Sequence, residues 1–162
     1  MAIADPTLAD FAVEWARYQD LLIGALEPLT AQQLELRAAP DLRSIRMIAT
    51  HIVGARARWL RRFLGEGGAD LDDVMTWDRP EQPARTAAEL VEGLRLTWIV
   101  LHGCLERWSE ADLKHEIARE YQGETVLLSR RWVIWHLIEH DLHHGGEVSF
   151  SLGMHGLAAP DL

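Results

Sequence analysis

The sequence predicts an all-α protein built as a four-helix bundle. Three observations carry that expectation. Four long segments repeat apolar side chains at steps of three and four. Helix-starting or helix-stopping residues bound them. Strand-like character is confined to one short stretch.

The first segment covers about residues 7–27, with Phe11, Trp15, Tyr18, Leu22 and Leu26 as its stripe and Pro28 as its stop. The second covers about residues 44–64. Ile45, Ile48, Ile52, Ala55, Trp59 and Phe63 form its stripe, and Gly65, Gly67 and Gly68 end it. The third covers about residues 86–108. Thr86 and Glu89 have capping-box spacing, and Leu90, Leu94, Trp98, Leu101 and Leu105 face inward. The fourth covers about residues 129–152, with Val133, Leu137, Val148 and Leu152 on its stripe.

Two connections stand out. Residues 64–85 form a long loop between helices two and three, rich in Gly, Asp and Pro and carrying Trp77; loops this long in compact domains are often functional. Residues 115–121 and 125–128 flank Gln122-Gly123 and read as a short hairpin before helix four. There is also an internal echo. The stretch from Leu29 and Thr30 to Gln33 and Leu34 resembles the one from Trp108 and Ser109 to Asp112 and Leu113. Each precedes a helix that opens with serine and has a histidine seven residues on: Ser44 with His51, and Ser129 with His136.

At 162 residues the chain has the length of one domain, read as 1–162, and 48% hydrophobic residues suffice for a core. Its formal charge of −9 disfavours nucleic acid and anionic membrane surfaces, both of which need clustered Lys and Arg. Cys104 is the single cysteine, so no intrachain disulfide forms, and it reads as buried rather than nucleophilic. Residues 1–10 show no apolar leader, and no apolar run reaches spanning length, so a cytoplasmic protein is expected.

Chemistry concentrates in the histidines. Five of eight lie between His136 and His155. His140 and His144, four apart, project from one helix face and continue the apolar stripe of segment four. Burying two neighbouring imidazoles is costly unless they bond carboxylates or carbonyls, or bind a metal. The i, i+4 spacing lets one helix offer two ligands. By spacing alone, metal stands about even against a polar core pair or a solvated His-rich face. A third ligand must come from another helix, and His51, mid-helix between Ile48 and Ile52 at the edge of the core face, is the candidate. His136 shares the face of His140 and His144, as a minority fourth ligand or as a residue packed on Trp135. His143 points to solvent, and His102, His115 and His155 join no constellation. A ferritin-like di-iron site fails for want of Glu-x-x-His in the helices.

The stretch from Leu29 to Arg37, then Pro40, Ser44, Ile45 and His51, together with His140-Asp-Leu-His143-His144-Gly145-Gly146-Glu147, resembles the DinB-like (DinB/YfiT) metalloenzyme superfamily over most of the chain. The resemblance implies an up-down-down-up bundle and metal ligands at His51, His140 and His144. Gly145 and Glu147 depart from the usual Arg and Gln. Glu147, seven residues after His140, could orient a ligand histidine, accept a proton, or be a solvated residue.

Three histidine ligands leave coordination positions open, as in catalytic sites. Zinc or nickel is expected, with manganese or iron as alternatives, and the family resemblance implies that a low-molecular-weight thiol could serve as a cosubstrate. What the resemblance implies is a metal-dependent hydrolase or thiol-dependent transferase acting on a small molecule. The alternative is a non-catalytic binding bundle of the stress response. Seven Trp leave apolar surface to hide, so a homodimer is expected.

Overall fold

The computed structural model describes residues 6–161, with side chains from Leu8 onward. Residues 1–5, on which half of the no-leader reading rests, lie outside the described residues. The chain runs as α1 (Pro6–Leu26), a 3₁₀ turn (Gln33–Glu35) and α2 (Ile45–Ala57), which continues as a π-helical turn (Arg58–Phe63). Then come α3 (Asp70–Val74), α4 (Ala87–Arg107), α5 (Glu110–Lys114), β1 (Glu116–Tyr121), β2 (Glu124–Ser129) and α6 (Arg130–Met154). The fold is therefore mostly helical, with a small two-stranded sheet where the short hairpin before helix four is expected.

Local chemistry sets the helix starts. Ser44, Thr86 and Ser129 each accept a hydrogen bond from the backbone N–H three residues on, and Glu89 completes the box at Thr86. The echo has a structural counterpart. Thr30 with Gln33, and Ser109 with Asp112, form reciprocal side chain–backbone pairs, each starting a one-turn helix. After each, the first residue of the next long helix returns a bond: Ile45 N–H to Leu36 O, and Arg130 N–H to His115 O, both at 3.0 Å. The second copy differs by the inserted hairpin.

That hairpin turns at Gln122 and Gly123, both with positive φ (52° and 83°), the geometry a two-residue turn needs to match strand twist. Its register pairs Ile117 with Leu128, Arg119 with Val126 and Tyr121 with Glu124, so these six share one face. The expected 64–85 loop contains α3 and a run of turns.

Helix α2 packs against α6 and α4, and α1 against α4. Leu22, Ile48, Ile52, Leu94, Leu101 and Leu137 are among the side chains sealed in the core. Burying each contributes ~1.5–3 kcal/mol. Phe11 departs from the expected inward stripe. The buried row of α1 runs through Ala12, Trp15, Gln19, Leu22 and Leu26, and Phe11, one residue round from Ala12, is left exposed. Among the described residues no helix is long and apolar enough to cross a membrane.

Candidate metal centre

The α2–α6 interface carries the histidines. His51 comes from α2, and His140 and His144 from successive turns of α6. Their candidate ligand atoms all lie within 4.8 Å of one another. His140 Nε2 sits 3.2 Å from His51 Nε2, and the His144 ring stands 4.3 Å from that of His140 and 4.8 Å from that of His51.

Neighbouring carboxylates define which nitrogens are free. His51 Nδ1 is 2.8 Å from Asp78 Oδ2, and His144 Nδ1 is 2.7 Å from Glu147 Oε2. A carboxylate only accepts, so each Nδ1 donates its proton and each Nε2 keeps its lone pair. Metal-ligating histidines are oriented in this way, by a carboxylate on the remote nitrogen. Burial, and then the neighbouring His144 and His51, push His140 down to about 3, so it is neutral. Its Nδ1 is buried without a partner. Burial also lowers His144, against the pull of Glu147.

The donor set fits a divalent cation. It consists of three imidazoles, two of them with Nδ1 turned to a carboxylate and Nε2 left to face inward, and His140 Nε2 meets His51 Nε2 at 3.2 Å. Imidazole nitrogens gathered in this way suit a first-row divalent ion. The three-histidine group could therefore hold a metal ion.

Asp78 and Arg43 were not singled out in the sequence. Asp78 lies in the loop after α3, beside Trp77. The indole of Trp77 packs onto Gly93 of α4, its Nε1–H donates to Asp73 at 2.9 Å, and Arg85 stacks on its ring at 4.4 Å. This anchors the loop and sets Asp78 against α2. There Gly54 leaves room: a Cβ would lie 3.0 Å from Asp78 Oδ1. Arg58 forks onto both Asp78 oxygens at 2.5 and 2.8 Å. Burial would raise the Asp78 carboxyl, but the bonds from His51 and Arg58 outweigh it and hold it well below the usual carboxylate range. Glu147 is likewise lowered against its burial by His144 and by Arg43, which donates to it at 2.8 Å.

Of the other histidines, His143 meets the His144 ring at 4.7 Å and forms with His144 and Glu147 a second, more exposed group that could hold a metal. His136 stacks on Trp132 at 5.1 Å and meets Trp59 edge-on at 4.9 Å, while its Nδ1 bonds Glu139; its ring is 6.0 Å from that of His140. Its aromatic partners are thus Trp132 and Trp59, not Trp135. His143 is exposed, and His155 bonds Arg37 O. Cys104 is sealed in the core and pushed up to about 12, by burial first and Glu66 second, so it is no nucleophile.

Beneath the histidines lies a buried ion pair. Asp141, next to His140, takes Arg56 Nε at 2.9 Å and Nη2 at 2.6 Å, with both residues fully buried. Trp15 Nε1–H also donates to Asp141 at 2.8 Å, and Arg56 donates to Gln19 at 2.7 Å. Tyr18 O–H donates to the Asp141 carbonyl at 3.2 Å and crosses Gly145 so closely that a Cβ there would lie 1.8 Å from its hydroxyl. The network joins α1, α2 and α6 directly behind the site.

His51 lines two cavities. One of about 490 Å³ is bounded by Arg43, Met47, Trp77 and Asp78. The other, about 520 Å³, is bounded by His140, His136, Trp59, Trp132 and the hairpin. The π-helical turn holds Trp59 and Arg58 on its wall, a common placement of such turns at functional sites.

Fold and site together define a mostly helical protein with a three-histidine group able to hold a metal between two α-helices. The sequence profile of the DinB family matches residues 5–162, and the chain belongs to that family. A DinB-like protein from Bacillus cereus has a similar fold, with a TM-score of 0.71 at 22% identity over 94% of this chain and 95% of that one. A DinB-like protein from Bacillus subtilis gives 0.64 at 15% identity, covering 94% and 96%. A conserved protein from Enterococcus faecalis also gives 0.64 at 15%, covering 89% and 96%. No curated protein matches the chain.

Proposed function

We propose that this chain is a metal-dependent enzyme, a hydrolase or thiol-dependent transferase, working at a divalent ion held by His51, His140 and His144. One observation carries the reading: two imidazole lone pairs, locked inward by Asp78 and Glu147, meet a third neutral imidazole at the junction of two cavities. The reading takes the chain as one domain with its four long helices in up-down-down-up order, and zinc or nickel as the ion.

In this reading Asp78 and Glu147 hold the ligand rings rather than transfer protons. Both carboxylates are engaged by an arginine and a histidine and stay ionised. Arg58 and Arg43 fix them in turn. Trp59, Trp132 and the hairpin shield the approach from bulk water on one side, leaving the 490 Å³ cavity as the second approach. The ion itself would supply Lewis acidity to a nucleophile, a water or a low-molecular-weight thiol, or to a substrate carbonyl. The substrate is a small molecule, and the protein pairs as a homodimer in the cytoplasm.

Plasma mass spectrometry of the purified protein tests the site. Near-stoichiometric metal is expected in the wild type and its loss in His140→Ala. Equal metal content in the two would end the assignment. Screening the loaded protein against activated esters and against thiol–electrophile pairs tests the enzyme; saturable binding without turnover would point to a non-catalytic binding protein instead.

A further inference from the structure

The cavity behind the hairpin has a distinct chemical make-up. Its body is aromatic and aliphatic: Trp59, Trp132, Tyr121, Val126 and Leu128. Two of the proposed ligands, His51 and His140, form its floor. Two arginines reach its wall, and they differ. Arg58 is neutralised by the fork onto Asp78. Arg119 is half-buried, with its guanidinium 4.7 Å over the ring of Trp59 and 5.6 Å from that of Tyr121. Among the described residues no carboxylate pairs with it, in a chain whose acidic residues number 25 against 16 basic ones.

A cation held between two rings keeps its in-plane N–H donors free. The neighbouring outer hollow adds Arg62, also without a carboxylate partner among the described residues. Glu120, which lines that hollow, accepts the Thr125 hydroxyl at 2.5 Å. Register places Arg119 and Tyr121 on the hairpin face that meets Trp59 and Trp132, so the hairpin delivers the charge into the apolar chamber.

We propose that this cavity binds a small aromatic monoanion, a carboxylate or sulfonate. Its ring lies among Trp59, Trp132 and Tyr121, its anionic group takes the Arg119 fork, and its remaining edge faces His51 and His140. The substrate class rests on the reading of the histidines as a metal site; the anion recognition by Arg119 does not.

Titration calorimetry with 1-naphthoate and its neutral counterpart 1-naphthalenemethanol tests this on the full chain, zinc-loaded and chelator-treated. Naphthoate is expected to bind more tightly than the alcohol in both forms, by about tenfold, the worth of one charge-assisted contact. Arg119→Gln should bring naphthoate affinity down to that of the alcohol, with the fold retained by circular dichroism, and Arg119→Lys should restore part of the difference. Equal binding of the two probes, or naphthoate affinity indifferent to Arg119→Gln, overturns the proposal. So does a naphthoate preference seen only with zinc, because the anion would then sit on the metal. A protein that takes up no zinc yet binds naphthoate through Arg119 overturns the proposed enzyme and leaves the anion site standing.

Discussion

His51 and His140 face each other across the α2–α6 interface with their Nε2 atoms 3.2 Å apart. The pair is asymmetric. Asp78 grips the far side of His51, whereas the far nitrogen of His140 is buried and unpartnered. Asp78 therefore governs the tautomer at the centre of the site. Replacing it by Asn keeps the volume but weakens the acceptor and lets the amide donate to Nδ1, which moves the ring proton to Nε2. Metal affinity should drop about 10- to 100-fold, the usual loss for such an outer carboxylate. Competition against a chromophoric chelator measures it, and an unchanged dissociation constant would remove Asp78 from the site.

The pair Arg56 and Asp141 supports the same interface from below. Both are fully buried, so removing either partner strands the other charge. Asp141→Ala should cost about 3–5 kcal/mol in urea unfolding, whereas a double replacement by Met and Leu should recover most of it. A single-variant loss under ~1 kcal/mol would mean the network is relieved by water, contrary to its sealed surroundings.

The four long helices and their caps were readable because each rests on local signals: stripes at helical spacing, Ser44, Thr86 and Ser129 at the starts, and Gln122-Gly123 at the turn. The closeness of His51 to the α6 pair was anticipated from the face of each helix together with the family resemblance. Asp78 was not legible, because its position depends on Trp77 docking on Gly93 and on space left by Gly54, contacts made between distant parts of the chain. Arg56 was hidden for a similar reason. A charged residue on α2 gives no sign that its partner, 85 positions away, will be buried with it. The two strands were anticipated, but not that their shared face would wall a cavity.

Gly145 occupies the place where family resemblance expects arginine, and Tyr18 fills the space such a side chain would need. A Cβ at position 145 would stand 1.8 Å from the Tyr18 hydroxyl and 2.8 Å from its ring. Gly145→Ala should therefore destabilise the protein by about 1–3 kcal/mol despite the better helix propensity of alanine. Adding Tyr18→Leu, which clears the ring, should recover part of the loss. Thermal unfolding decides the matter, and a stabilised Gly145→Ala would show that Tyr18 moves freely.

Alkaline stability should fall early. Cys104 is pushed up to about 12 by burial, and Tyr18 to about 12 by burial and by Asp141. Both stay protonated in the folded state where the unfolded chain ionises, so the folded state binds more protons. The sign makes stability decline with rising pH, from about pH 9 for Cys104 and from about pH 10 for Tyr18, up to 12. Cys104→Ala should flatten the first part of that decline in urea titrations. The same burial predicts that a disulfide reagent at pH 8 labels Cys104 no faster than the protein opens; immediate labelling would contradict the buried thiol.

One outer strip of α6 bears on assembly. Trp135, Leu142, Phe150 and Met154 are all exposed, between 47% and 62%, and fall within about 120° of the helix circumference. Gly146 lies in the middle of the strip with open space above it, so a second helix could approach closely there. Glu139 and His143 are exposed within the same arc, so the strip is apolar with a polar seam, the make-up of a contact surface between folded proteins. A pair of α6 helices packed over Gly146 would bury the strip on both copies and leave His140 and His144, beyond the strip's edge, accessible. Light scattering at micromolar concentration should give a dimer for the wild type and a monomer for Leu142→Glu combined with Phe150→Glu, with metal content equal in both. A wild type that is monomeric throughout that range would refute the pairing, and a dimer that survives both charges would place the interface elsewhere.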